Sequence, residues 1–102
     1  MKVLVSGGSK GIGLAIAKAF AAQTLHVGIC ARGEAGIAAA LAACPTLRGV
    51  VADVSREDDC HRLAAWAGET LGGVDVLVNN AGVFHQGGIA DQTSAQFEAM
   101  LD

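Results

Sequence analysis

The sequence contains no tyrosine, one proline, one tryptophan and three phenylalanines in 102 residues. Trp66, Phe20 and Phe97 fall at helix positions and read as core rather than as a platform for stacking bases. Basic residues are few: seven Lys and Arg stand against ten Asp and Glu, a net charge of −3, and no basic cluster forms. That composition argues against a nucleic-acid backbone or an anionic membrane as partner. No apolar run approaches the roughly 20 residues of a membrane span. Val3 to Val5, soon broken by glycine, is too short for the apolar segment of a signal peptide, so a cytoplasmic protein is expected. Cys30, Cys44 and Cys60 are odd in number and include no C-x-x-C pair, so neither a disulfide framework nor a zinc site is signalled. They read as small core or near-core residues.

Apolar surface, by contrast, is plentiful. The chain is 52% hydrophobic, with a mean hydropathy of +0.44 and 14 glycines. That excludes disorder and suggests one compact domain. Lys2 to Ser6, KVLVS, is a short β-branched run suited to a strand buried on both faces. Residues 12 to 23 change to helical period, with Ile12, Ile16, Ala19 and Phe20 on the apolar stripe. A second round gives a strand over Leu25 to Ala31 and an Ala-rich helix from Glu34 to Cys44, stopped by Pro45. A third gives a strand over Arg48 to Val54, then a helix capped by Ser55 with Leu63, Ala67 and Leu71 inward, ended by Gly72-Gly73. Val74 to Val78 makes a fourth strand, and Thr93 or Ser94 can cap a last helix bearing Phe97 and Leu101. Strands alternating with helices predict an α/β doubly wound parallel sheet joined by right-handed crossovers.

The sharpest feature is Ser6-Gly7-Gly8-Ser9-Lys10-Gly11-Ile12-Gly13, between the first strand and the first helix. Glycines there permit a tight turn, bring the backbone close to a pyrophosphate, and leave helix amides free to meet its charge. A Walker loop is excluded, because Lys10 precedes Gly11 and Leu14-Ala15 follow Gly13 where Lys and Ser/Thr would stand. At the end of the second strand, Cys30-Ala31-Arg32 offers no carboxylate for a free ribose hydroxyl. Arg32 and Lys10 can instead meet a 2′-phosphate, which favours NADP over NAD.

These motifs resemble the short-chain dehydrogenase/reductase family over all 102 residues. Ser6 to Gly13 is similar to its T-G-x-x-x-G-x-G cofactor loop with Ser6 for Thr, Asp53-Val54 to its adenine-contacting D-V, and Asn79-Asn80-Ala81-Gly82 to its N-N-A-G. The resemblance implies a Rossmann-like fold with strand order 3-2-1-4, truncated after about four strands, with residues 1–102 forming a half-domain incomplete at its C-terminus. It implies that Gly7, Gly11, Ile12 and Gly13 line the pyrophosphate, while Ser9, Lys10 and Arg32 meet the adenosine-side phosphate. Asp53 and Val54 would meet adenine, Asn80, Ala81 and Gly82 would pass the cofactor ribose, and Asn79 would help hold the central strands together. The implied reaction is hydride transfer between NADPH and a small carbonyl or alcohol.

The family's catalytic Asn, Ser and Y-x-x-x-K have no counterpart in these residues, so no catalytic residue is assigned. A non-catalytic nucleotide-binding or interaction module, or a non-functional truncated product, is therefore the alternative. His26 in a strand, His61 on a helix and His85 in a loop have no metal-ligand spacing. Asp58-Asp59 reads as a first-turn acidic pair favoured by the helix dipole. An unpaired fourth-strand edge carrying Val74, Val76 and Val78 leads us to expect self-association.

Overall fold

The computed structural model describes residues 1–80. The anticipated last helix, with Ser94, Phe97 and Leu101, and also His85, Ala81 and Gly82, lie outside the described residues. The elements run β1 (Val3–Ser6), α1 (Gly11–Ala21), β2 (Val27–Ala31), α2 (Glu34–Ala43), β3 (Arg48–Val51), α3 (Glu57–Thr70) and β4 (Val76–Asn79). The strands form one parallel sheet ordered β3-β2-β1-β4, the topology anticipated above.

Side chains of a strand alternate between faces, and the two faces of this sheet carry separate apolar clusters. Val3, Val5, Val27 and Ile29 pack with Ala17 of α1 and with Ile37 and Ala40 of α2. Leu4 and Cys30 point the other way and pack with Leu63, Ala67 and Leu71 around α3. All four residues of β1 are buried, as a strand covered by helices on both sides requires. Small residues set the layer spacing. A Cβ on Gly28 would lie 3.0 Å from the side-chain ends of both Trp66 and Leu71, which would have to give way by a few tenths of an ångström to admit it.

Several boundaries and faces differ from expectation. The second strand begins at Val27, not Leu25, because the Thr24 hydroxyl donates to the Met1 carbonyl (2.8 Å) and accepts the His26 amide (3.2 Å). That local turn takes residues 24–26 out of the strand and leaves His26 and Leu25 exposed. The third strand stops at Val51, where Ala52 donates to the Ala31 carbonyl and the chain turns through Asp53. In α1 the buried positions are Gly13 and Ala17, with Ile16 and Phe20 packed beside them, while Ile12 and Ala19 face outward. The close approach of Gly13 to the loop rotates the stripe away from Ile12. Ser55 does not cap α3: Arg56 occupies the cap position without a side-chain bond, and the Ser55 hydroxyl turns back to Asp53.

The remaining helix expectations agree with the structure. Leu63, Ala67 and Leu71 are buried, and Gly72 (φ 85°) and Gly73 (φ 129°) adopt backbone that favours glycine, letting the Gly73 amide reach back to Ala67. Cys30 and Cys60 are buried and Cys44 is half-buried. No helix among the described residues is long and apolar enough to cross a membrane.

Candidate dinucleotide site

In a parallel sheet the C-terminal ends of the strands share one edge, and a ligand crevice opens where neighbouring connections leave in opposite directions. Here that edge brings together Ser6-Gly7, Arg32, Asp53 and Asn79-Asn80. Ser6 sits level with Cys30 on β2 and with Asn79 on β4, and Ala31 is level with Val51 on β3. The chain order around β1 reverses between β2 and β4, so the glycine loop emerges at the switch point.

The loop is held from below. Gly7, at φ 70°, donates to the Cys30 carbonyl at 2.8 Å, and the Gly8 amide shares that acceptor at 3.3 Å. Ser6 donates through its hydroxyl to Asn79 Oδ1 at 3.0 Å, tying β1 to β4. The Asn80 side-chain amide donates to the Gly7 carbonyl at 3.3 Å, and its backbone amide to the Ser6 carbonyl at 3.1 Å. A Cβ on Gly13 would overlap the Gly7 carbonyl oxygen outright and stand 2.8 Å from Asn80 Nδ2. The first turn of α1 can lie on the loop only because residue 13 has no side chain. Gly11, at φ 61°, faces open space with no atom within 4 Å of its Cβ position. A glycine with nothing above it, at the start of a helix with no capping side chain, leaves backbone amides exposed to a ligand.

Around this cradle, Lys10 and Arg32 are exposed, Ser9 is half-buried, and Ile12 opens to solvent at 74% exposure. A Cβ on Gly36 of α2 would meet Ser9 Oγ at 3.1 Å, so the loop also leans on the first turn of α2. Asp53 lies beyond β3, with Val54 half-buried after it. Its Oδ1 accepts the Ser55 hydroxyl at 2.6 Å and the Ser55 amide at 3.0 Å. The Ser55 hydroxyl and amide, with the Arg32 charge contributing less, hold its carboxyl below the usual carboxylate range. Burial pushes the Cys30 thiol up to about 12, which leaves it an inert neutral group beneath the loop. Among the described residues, no group of three His, Cys, Asp or Glu is placed to hold a metal ion.

Comparison with known proteins gives this geometry its family. A family model for short chain dehydrogenase matches residues 1–102. The chain belongs to the short-chain dehydrogenase family. It is 42% identical over 86 residues to a glucose 1-dehydrogenase of Gluconobacter oxydans, with 79% of this chain and 32% of that protein covered. It is 36% identical over 103 residues to a D-beta-hydroxybutyrate dehydrogenase of Cupriavidus necator, with 96% of this chain and 40% of that protein covered. The chain thus spans about a third to two fifths of the length of these two relatives. A crystal structure of an actinorhodin polyketide ketoreductase with NADPH superposes with a TM-score of 0.82 at 31% identity, covering 97% of this chain and 45% of that one. The short-chain dehydrogenase assignment agrees with the Ser6-to-Gly13 loop, the Asp53 turn and the Asn79-Asn80 pair that first suggested it.

Sequence reasoning missed three supports of this edge: Asn80 on the Gly7 carbonyl, Gly36 beneath Ser9, and the bonds that α3 makes to the Asp53 turn. Asn79-Asn80 was a visible signal. Gly36 and α3 were not, since their partners lie 27 residues away, or across a turn that the sequence pattern assigned to a strand.

Proposed function

We propose that the chain binds a nicotinamide dinucleotide, NADP in preference to NAD, as the cofactor part of an oxidoreductase that interconverts a small carbonyl and its alcohol. The observation that carries this reading is the cradle at Gly7, Gly11 and Gly13. The Cys30 carbonyl holds the turned Gly7 backbone from below, the absence of a side chain at Gly13 lets α1 lie against the loop, and Gly11 opens the first turn of α1, whose amides have no intrahelical acceptor, to the space above. The residues present therefore fit the group. Gly7, Gly11 and Gly13 would lie along the pyrophosphate with Ile12 beside it, and Asn80, followed by Ala81 and Gly82, would border the ribose. Ser9, Lys10 and Arg32 would meet the 2′-phosphate, while Asp53 and Val54 would meet adenine.

A bound nicotinamide supplies the hydride. The chain's own part is to hold and orient the dinucleotide against a rigid sheet edge. Preference for NADP rests on charge and on what is missing: Ala31-Arg32 ends β2 without a carboxylate, and Arg32 and Lys10 are exposed cations on the same edge. The ketoreductase structure with NADPH supports the same choice. Calorimetric titration tests it. Charge-assisted hydrogen bonds contribute about 1.5–3 kcal/mol each before solvent screening, so NADPH should bind about tenfold or more tighter than NADH, and Arg32→Asp should reverse the order. Equal affinity of the unmodified chain for the two would refute the preference, and binding of neither would refute the function.

A further inference from the structure

Outside the glycine loop, the densest polar construction is the turn after β3. Four groups of the α3 region reach back onto three residues of the turn, Val51, Asp53 and Val54. Arg62 Nη2 donates to the Val51 carbonyl at 2.8 Å, and Asp59 Oδ2 accepts the Asp53 amide at 2.7 Å. The Arg56 amide donates to the Asp53 carbonyl at 3.0 Å, and Cys60 Sγ donates to the Val54 carbonyl at 3.2 Å. Arg62 also pairs with Asp59 at 3.3 Å, so the two side chains that grip the turn are braced against each other. Ser55 then fixes the Asp53 carboxylate by two hydrogen bonds to a single oxygen, Oδ1.

The clamp is part-buried at Asp59 and Cys60 and exposed at Arg62. Its geometric result is specific: Asp53 Oδ1 is used twice, and among the described residues Oδ2 receives no hydrogen bond. An ionised carboxylate oxygen can only accept. Held still at the sheet edge, it attracts a 6-amino purine, which donates, and repels a 6-oxo purine, which presents an oxygen.

We propose that Ser55, Asp59 and Arg62 are positioning residues that lock the Asp53 carboxylate so that its free oxygen selects a 6-amino purine over a 6-oxo purine. The inference rests on the dinucleotide reading above and adds a specificity device to it. Ser55 sets the side chain; Asp59 and Arg62 set the backbone that carries it. Releasing Ser55 lets Oδ1 and Oδ2 exchange and lets the carboxylate swing, so discrimination falls before general affinity does.

The test is calorimetric titration of the full chain with NADPH and with its hypoxanthine counterpart, which differs at purine position 6. The unmodified chain should favour NADPH about tenfold or more. Ser55→Ala should lower that ratio several-fold, mainly by weakening NADPH, while Ser55→Thr, which keeps the hydroxyl, should retain it. Asp59→Asn, which keeps an acceptor for the Asp53 amide but weakens the pairing with Arg62, should give an intermediate ratio. A thermal melt of each variant confirms that folded protein is compared. If Ser55→Ala weakens both dinucleotides equally, or Ser55→Thr behaves like Ser55→Ala, the positioning role is refuted while nucleotide binding stands. If the unmodified chain binds neither dinucleotide, the dinucleotide reading fails and this inference falls with it.

Discussion

Two glycines on two helices make opposite predictions for the same substitution. Gly13 begins α1 against the loop, and Gly68 lies inside α3, where a Cβ would meet nothing within 4 Å. Alanine in place of glycine at an exposed helix interior stabilises by about 0.8–1 kcal/mol, through lower backbone entropy in the unfolded chain. Gly68→Ala should gain that amount. At Gly13 the new methyl would overlap a backbone carbonyl and press on Asn80 Nδ2 at 2.8 Å. No side-chain rotation can relieve a clash with Gly7 backbone, so α1 and the loop must separate. Overpacking of this kind costs about 1–3 kcal/mol, more than the propensity gain at a first-turn position. A net loss of about 1 kcal/mol corresponds to a fall in Tm of about 4–8 °C in a domain of this size, and Gly68→Ala to a rise of similar size. Urea and thermal unfolding followed by far-UV circular dichroism read both. Gly13→Ala as stable as the unmodified chain would refute the contact between helix and loop on which the cradle depends.

Thiol reactivity should follow burial and pKa. Burial raises the Cys30 thiol to about 12, and burial followed by neighbouring carboxylates raises Cys60, so at pH 8 an aromatic disulfide reagent should label half-buried Cys44 first. Release of all three thiols at one rate in native buffer would contradict the packing. The Asp53 carboxyl is depressed in the folded chain, so its contribution to stability is present above the unfolded carboxylate pKa of about 4 and is lost as pH falls through the folded value. Ser55→Ala should therefore flatten the loss of stability in acid, and an unchanged acid titration would show that the two hydrogen bonds do not act. Ser6→Ala removes the donor to Asn79 across β1 and β4, with the hydroxyl part-buried. It should destabilise by about 1 kcal/mol, and an unchanged unfolding midpoint would show that this bond does not join the strands.

How much of this was legible depends on the kind of signal. KVLVS and the glycines after it carry strand period and turn chemistry in adjacent residues, so β1 and the loop could be read directly. The alternation of elements pointed to a parallel doubly wound sheet, and the family resemblance supplied its strand order. The phase of α1 was not legible, because Gly13 and Ala17, not Ile12, face the sheet, and small residues at a close contact carry no hydrophobic signal. The end of β3 was misplaced because Asp53, Val54 and Ser55 read as strand and cap while their hydrogen bonds form a turn with α3. Within the site, Gly7, Gly11 and Gly13 were visible as glycines, but only the fold shows the Asn80 amide on the Gly7 carbonyl.

The central claim is that the edge formed by Gly7 to Gly13, Arg32 and the Asp53 turn receives one dinucleotide. Amide chemical-shift mapping of the isotopically labelled chain during titration with NADPH tests it residue by residue. The account predicts saturable shifts concentrated at Gly7 to Gly13, at Arg32 and at Asp53 to Ser55, with the exposed face of α3 around Ala65 and Gly68 unmoved. Shifts that avoid the glycine loop, or that gather on α3, would contradict it.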